Sequence, residues 1–284
     1  MDLGQAQRQL TSDLTPLYDS REAGLIADWV MEHLTGRSKM ERLMRPAEVL
    51  ADPLLRKYYI YRSELLAHRP VQYVLRESWF AGLRFYVDEN VLIPRPETEE
   101  LVEWACRTIP AVSSGPLLDV GTGSGCIAIA LALKLPDLSI HACDISAGAL
   151  HTAGRNAASL RADITFHHLD FLDRGTWPSL PAVRWIVSNP PYIPASERSL
   201  MAPHVAGAEP SAALFVPDSD PFVFYYAIGE FARQRLLPGG SVWVEIHENL
   251  AAGVVDLFRS AGAVEVETRK DLMGKDRMVK AGFI

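Results

Sequence analysis

Apolar residues recur at three- and four-residue intervals through the first 70 residues, the spacing that lines one face of a helix. Leu25, Ile26, Trp29, Val30 and Leu34 form the clearest stripe. Ser20 stands ahead of it as a candidate N-cap, Glu22 puts an acid in the first turn, and Gly36 sits where a left-handed C-cap would end the helix. Weaker stripes run through Gln5–Tyr18 and Pro53–Ala67, punctuated by Pro46 and Pro53, so a helical bundle is predicted over 1–70. From 71 to 94 the runs shorten and favour β-branched and aromatic residues: 72–75, 82–87 and 90–93. That change predicts a β-hairpin linker. Arg95-Pro96-Glu97-Thr98-Glu99 then opens a helix that ends near Pro110.

After Pro116, strands and helices alternate. Apolar runs of strand length lie at 117–120, 139–144, 164–170, 184–189 and 241–246, with helical stretches at 124–135, 147–159, 222–237 and 250–261. This alternation predicts an α/β fold, a doubly wound and mostly parallel sheet with helices on both faces. Two closing strands, 264–271 and 276–283, bring the count to seven and need not run parallel.

Composition narrows the setting. At 284 residues, 48% hydrophobic and 22% charged, the chain has room for one large domain or two small ones. The pattern divides it into a helical domain (1–70), the linker (71–94) and an α/β domain (95–284). Its longest apolar run, Cys126–Leu133, falls well short of the roughly 18 residues a membrane span needs, so none is expected. The first ten residues lack the basic and apolar regions of a secretory signal, and Cys106, Cys126 and Cys143 make no disulfide framework. A cytoplasmic monomer is expected. The net charge is -7; residues 1–80 carry 11 basic and 11 acidic side chains, whereas 81–284 carry 17 and 24. That balance offers no basic surface for phosphates, and nucleic acid is not an expected partner.

The segment from Asp119 to Gly125 runs from a strand through Gly121-Thr122-Gly123-Ser124-Gly125 into a helix. Glycines let a ligand approach the backbone, and a helix start offers free N–H groups. The spacing differs from that of dinucleotide sites, and Asp119 would repel a pyrophosphate while favouring a cation bearing an ammonium and a sulfonium. That chemistry points to S-adenosylmethionine. Asp144, ending the second strand, suits the ribose hydroxyls, and Asp170-Phe171, ending the third, suits an adenine edge and face. A plain structural turn with helix-capping aspartates is the simpler alternative. It does not account for three aspartates ending successive strands.

Asn189-Pro190-Pro191-Tyr192 follows the fourth strand. The two prolines remove two backbone donors and stiffen the turn, leaving an acceptor platform. The Asn189 side-chain oxygen and the Pro190 carbonyl can each accept one N–H of an NH2 group, with the Tyr192 ring beside it. Two acceptors orient a delocalised nitrogen and favour the positive charge that develops on it during methyl transfer.

At these motifs the chain resembles the class I methyltransferases, and within them the HemK/PrmC family, which methylates a glutamine of peptide chain release factors. The resemblance covers nearly the whole length: Pro70-Val71-Gln72-Tyr73, Val91 to Glu99, Asp119 to Gly125, Asn189 to Ile193, Glu209-Pro210, Leu237 to Gly240 and Gly274 to Arg277. It implies an amino-terminal helical domain that docks the release factor, and a Gly-Gly-Gln glutamine as methyl acceptor. It also implies that Gly121, Thr122, Gly123, Ser124, Gly125, Asp144, Phe171 and Asn189 contact the cofactor. Asn189, Pro190, Pro191 and Tyr192 would hold the glutamine, with Asn189, Pro190 and Tyr192 catalytic. The chain departs from the family at Arg76, where a glycine is usual, and at 215–220, where a glycine-rich stretch is usual. A DNA or RNA amino-methyltransferase is the competing reading, because adenine also presents a conjugated NH2 to the same turn.

Other features read more plainly. Glu97 favours a helix dipole as readily as it positions a cofactor loop. His247-Glu248 lacks the second histidine of a zinc motif, no cysteine has metal-ligand spacing, and no metal is expected. One of His167 and His168 is expected to pack inward, and Trp29 and Trp243 are expected in the core.

Overall fold

The computed structural model describes residues 1–110, 114–201 and 207–284. They gather into two compact units, one around residues 1–77 and the other around 78–201 and 209–284.

The first unit is helical. Helix α1 (Leu3–Leu14) opens on a capping box between Asp2 and Gln5, and α2 (Ser20–Thr35) ends on Gly36 in the left-handed conformation. Short α3 (Lys39–Met44) follows a second capping box, Ser38 with Glu41. Next come α4 (Asp52–Leu66) and α5 (Val71–Leu75). Leu10, Leu14, Val30, Met31, Tyr58 and Leu65 close the core.

Three expectations shift here. The cap of α2 is Asp19, whose carboxylate accepts from the N–H groups of Arg21 and Glu22, and Ser20 is the first helical residue. The buried stripe of α2 is Ala23, Ile26, Ala27, Val30, Met31 and Leu34, so Leu25 falls off the face and is exposed, while Trp29 is half-buried. The strand-like run 72–75 is helical, because Val71, Val74 and Leu75 sit at helical spacing on the bundle core. Tertiary burial overrides the local β propensity.

The hairpin is shorter than its predicted span: β1 (Ser78–Phe80) pairs antiparallel with β2 (Leu83–Phe85). Ala81 and Gly82, both at positive φ, form the two-residue turn that suits hairpin twist. Helix α6 (Pro96–Thr108) leads to β3 (Gly115–Val120), α7 (Cys126–Lys134), β4 (Leu138–Asp144), α8 (Ala147–Leu160), β5 (Ile164–His168) and β6 (Val183–Ser188). A connecting stretch carries β7 (Ile193–Pro194), α9 (Ser211–Leu214) and β8 (Phe215–Val216). Then follow α10 (Val223–Arg235), β9 (Leu236–Glu245), α11 (Ala251–Ser260), β10 (Glu265–Lys270) and β11 (Asp276–Gly282).

The seven-stranded sheet has the order β10-β11-β9-β6-β3-β4-β5. Its five strands from β9 to β5 are parallel, and β11 runs antiparallel between β9 and β10. Alternate side chains feed two cores. Leu117, Trp185, Val187 and Trp243 pack with α6 and α7, while Leu118, Val120, Ile186, Val242 and Val244 pack with α10 and α11. Trp243 lies in the core as its pattern predicts. The chain leaves β3 toward β4 on one side and later returns to β6 on the other. This reversal opens a crevice at the carboxyl ends of β3 and β6.

Candidate active site

The glycine turn after β3 lies in that crevice. Gly121, Gly123 and Gly125 all take positive φ, at 75°, 54° and 81°. A side chain at Gly121 or Gly123 would meet open space, so there the backbone conformation, rather than crowding, calls for glycine. Gly125 also has a packing role, since a Cβ would lie 3.0 Å from Ile129 Cδ1 and 3.2 Å from Ala153 Cβ.

The turn is less generous with amide groups than its sequence suggests. The N–H groups of Gly121 and Thr122 donate to the Cys143 carbonyl, that of Gly123 to Asp144 Oδ2 (2.9 Å), and that of Gly125 to the Thr122 carbonyl. Two carboxylates are bonded to the turn. Asp119, fully buried, accepts from the Thr122 hydroxyl (2.6 Å) and the Ala128 N–H (3.3 Å) through Oδ2, while its Oδ1 has no partner. Burial pushes its pKa up to about 7, against the pull of those two donors. Asp144 is half-buried at the end of β4, its other oxygen receiving the Ser146 N–H.

A residue outside the motif braces the turn. Asn156 on α8, 2% exposed, donates from Nδ2 to the carbonyls of Ser124 and Tyr86, and its Oδ1 accepts the Tyr86 N–H. It thereby ties the strand of chain after β2 to the glycine turn.

The Asn189-Pro190-Pro191-Tyr192 turn leaves β6 beside it. Val120 and Ser188 are paired across β3 and β6, and the Ser188 hydroxyl donates to the Val120 carbonyl at 2.7 Å, which locks the two strand ends together. Pro190 is buried; Asn189, Pro191 and Tyr192 are half-buried. Asn189 Nδ2 donates to Thr98 Oγ1 (3.0 Å), and the Thr98 hydroxyl donates to Glu245 Oε2 (2.6 Å). The Tyr192 hydroxyl donates to Glu245 Oε1 at 2.9 Å. A cavity of about 130 Å³ adjoins the turn, lined by Leu92, Arg95, Asn189, Pro190, Tyr192 and Met201 among others. Arg95 at its wall pairs with the buried Glu209.

The glycine turn, Asp144 and Asn189 thus meet at one sheet edge. Phe171 lies apart from this hydrogen-bonded set: its ring packs on Trp177 and Phe231 in the core, with 5% of the residue exposed. Glu97 is half-buried in the first turn of α6, and it is its neighbour Thr98 that reaches Asn189. Both neighbouring histidines of β5 are engaged, His167 with His141 at 3.1 Å and His168 with the Ile145 carbonyl at 2.9 Å. His247 and Glu248 lie in a loop. Among the described residues no cluster of three or more candidate ligands could hold a metal, and no helix is long and apolar enough to cross a membrane.

Comparison with known proteins is decisive for the family. A family model described as the PrmC N-terminal domain matches residues 5–75, and one described as the methyltransferase small domain matches 103–208. The release factor glutamine methyltransferase of Flavobacterium psychrophilum is 37% identical over 278 residues, covering 97% of each chain. That of Chlorobaculum tepidum is 38% identical over 264 residues, covering 90% of this chain and 89% of its own. The chain belongs to the release factor glutamine methyltransferase family.

Solved structures agree on the fold. The hMettl16 catalytic domain, in complex with a 3′UTR hairpin, superposes with a TM-score of 0.56 at 15% identity, covering 82% of this chain and 81% of its own. The 16S rRNA N2 methyltransferase of T. thermophilus, in complex with AdoMet and guanosine, gives 0.53 at 18% identity, covering 73% and 50%. AdoMet is bound in the second of these structures. The crevice fits that ligand: a buried carboxylate oxygen without a partner, a second carboxylate at the next strand end, and a backbone turn open at Gly121 and Gly123.

Proposed function

We propose that this chain transfers a methyl group from S-adenosylmethionine to the side-chain N5 of the glutamine in the Gly-Gly-Gln loop of class I peptide chain release factors. The observation that carries this reading is the juxtaposition of two strand ends. The glycine turn of β3 and the Asn189-Pro190-Pro191-Tyr192 turn of β6 are locked side by side by Ser188 and Val120.

In this reading Asp119, Gly121, Thr122, Gly123, Ser124, Gly125, Asp144 and Asn189 hold the cofactor, while the Phe171 ring stays packed on Trp177 and Phe231. When bound, the cofactor supplies an electrophilic methyl group. Asn189 Oδ1 and the Pro190 carbonyl accept the two N–H bonds of the glutamine amide, fixing its plane, and Pro191 keeps the turn stiff. Positive charge growing on the amide nitrogen faces two acceptors that need no reorganisation. Tyr192 packs beside the amide and is no base, because burial and the adjacent Glu245 push its hydroxyl well above its ordinary range. The proton departs after transfer, so the site needs no shifted general base.

The acidic balance of residues 81–284 supports a protein substrate over a nucleic acid, and the family's named activity supports the same choice. We place the chain in the cytoplasm as a monomer. The test is transfer of labelled methyl to purified release factor, with duplex DNA as control. Asn189→Ala should lower the rate by about 100-fold or more. Transfer to a factor whose Gly-Gly-Gln glutamine has been replaced would overturn the assignment.

A further inference from the structure

We propose that Glu245 is a positioning residue which, acting through Thr98, decides which end of the Asn189 amide faces the acceptor nitrogen. The inference rests on the reading of Asn189 as the glutamine acceptor. It adds two residues on separate elements, 91 and 147 positions apart in the bonded pairs.

An asparagine amide has two faces of nearly equal shape and opposite polarity: Oδ1 accepts, Nδ2 donates. Only the first can hold an NH2 group by its hydrogens. The turn sequence alone does not choose between them, because a half-turn about the terminal bond exchanges the two atoms. The hydrogen-bond chain does choose.

Glu245 stands at the end of β9 with 1% of its surface exposed. Its two oxygens receive two hydroxyls, Thr98 at 2.6 Å and Tyr192 at 2.9 Å. Both hydroxyls aim their hydrogens at these oxygens, which act as acceptors through their lone pairs. Thr98 has a single hydrogen. Once that is given to Glu245, Oγ1 can only accept, and the Asn189 atom 3.0 Å away must be Nδ2. Oδ1 is thereby turned to the substrate side. The same carboxylate holds the Tyr192 hydroxyl, so one buried side chain fixes both ends of the turn.

The surroundings act on that carboxyl group in both directions. Burial raises the Glu245 carboxyl above its ordinary range, against the pull of the Thr98 and Tyr192 hydroxyls and Arg277, and Glu97 adds a smaller upward push. Arg277 on β11 is itself held by Asp271 Oδ2 (3.1 Å) and the Ile246 carbonyl (3.2 Å), and the Tyr225 hydroxyl donates to the Glu245 backbone carbonyl. Replacing the carboxylate by an amide breaks the logic. A glutamine at 245 must present its NH2 to one of the two hydroxyls. Facing Thr98, it reverses that hydroxyl and inverts Asn189; facing Tyr192, it turns the tyrosine hydroxyl away.

The experiment compares Thr98→Val, Thr98→Ser and Glu245→Gln with the parent chain. Calorimetry reads S-adenosylmethionine affinity, and steady-state assays read kcat and KM for purified release factor. Thr98→Val keeps the volume but removes the relay, so kcat should fall by about 100-fold while cofactor affinity stays within about threefold. Thr98→Ser should restore kcat to near the parent value, and Glu245→Gln should lower kcat, because either orientation of its amide releases one of the two hydroxyls that hold the turn. A merely structural role would instead lower melting temperature and cofactor affinity together. Thr98→Val keeping parental kcat, with Asn189→Ala inactive, would overturn this inference alone. An active Asn189→Ala would overturn the acceptor assignment on which it rests.

Discussion

One guanidinium nitrogen of Arg95, Nη2, lies 2.7 Å from both carboxylate oxygens of Glu209. The Glu209 side chain is 1% exposed and that of Arg95 is 30% exposed. Burial pushes the Glu209 carboxyl up and Arg95 pulls it back, so the pair anchors the chain after 208 to the start of α6. Arg95→Met leaves a buried acid without its cation, and should destabilise the protein by about 3 kcal/mol. Adding Glu209→Gln should recover most of that loss, because the amide needs no counter-charge. Urea unfolding of the single and double variants checks both statements. A double variant no more stable than Arg95→Met would remove the charge pair from the explanation.

Arg76 ends α5 at φ 57°, in the left-handed region. The Glu77 N–H donates to the Gln72 carbonyl across it, the closure of a helix end that favours glycine. The departure from the family pattern therefore falls on a position whose backbone still has the glycine conformation. Arg76→Gly should be more stable than Arg76→Ala by roughly 0.5–1 kcal/mol, since both lose the side chain and only the glycine escapes the left-handed penalty. The shift in the midpoint of denaturant unfolding measures it.

The glycines of the turn should separate by cost. Alanine at Gly123 meets only the left-handed penalty of about 1 kcal/mol, because nothing lies within 4 Å of the new Cβ. Alanine at Gly125 adds contacts at 3.0 and 3.2 Å to Ile129 and Ala153 and should cost about 2 kcal/mol or more. Melting temperatures should therefore fall in the order parent, Gly123→Ala, Gly125→Ala. Equal losses at the two sites would show that the packing between α7 and α8 yields freely.

Asp119 makes stability depend on pH in a definite direction. Its folded pKa, about 7, lies above the ordinary 3.8, so the folded state holds the proton longer than the unfolded chain. Its contribution is complete below about pH 4 and is lost as the pH rises through about 7, on the order of 4 kcal/mol in all. Asp119→Asn should flatten that part of the stability profile. It should also abolish any gain in S-adenosylmethionine affinity between about pH 6 and 8, since a cation near Oδ1 favours the ionised form. Unfolding and calorimetric titrations across this range provide the measurement.

Much of this architecture is legible in the sequence. The parallel strands announce themselves as apolar runs because both faces are buried, and the glycine turn and Asn189-Pro190-Pro191-Tyr192 are contiguous because each serves one strand end. Other features depend on neighbours that one segment does not reveal. The run 72–75 has strand-like residues but takes its conformation from the bundle core, and Leu25 looks like core until the register of α2 is set by Ala23 and Ala27. Thr98 reads as part of a helix start and Glu245 as a polar end to an apolar strand. Their joint action on Asn189 exists only once α6, β6 and β9 converge. Asn156 is likewise an ordinary helix residue until its amide meets Ser124 and Tyr86.

Because four amide groups of the glycine turn close on Cys143, Asp144 and its own Thr122, the protein itself holds the turn in shape. Arrival of a ligand orders no backbone there, so the entropy of shaping the turn is met once, during folding. Ligand protection against heat should then follow mass action alone, with Tm rising as the logarithm of concentration above Kd.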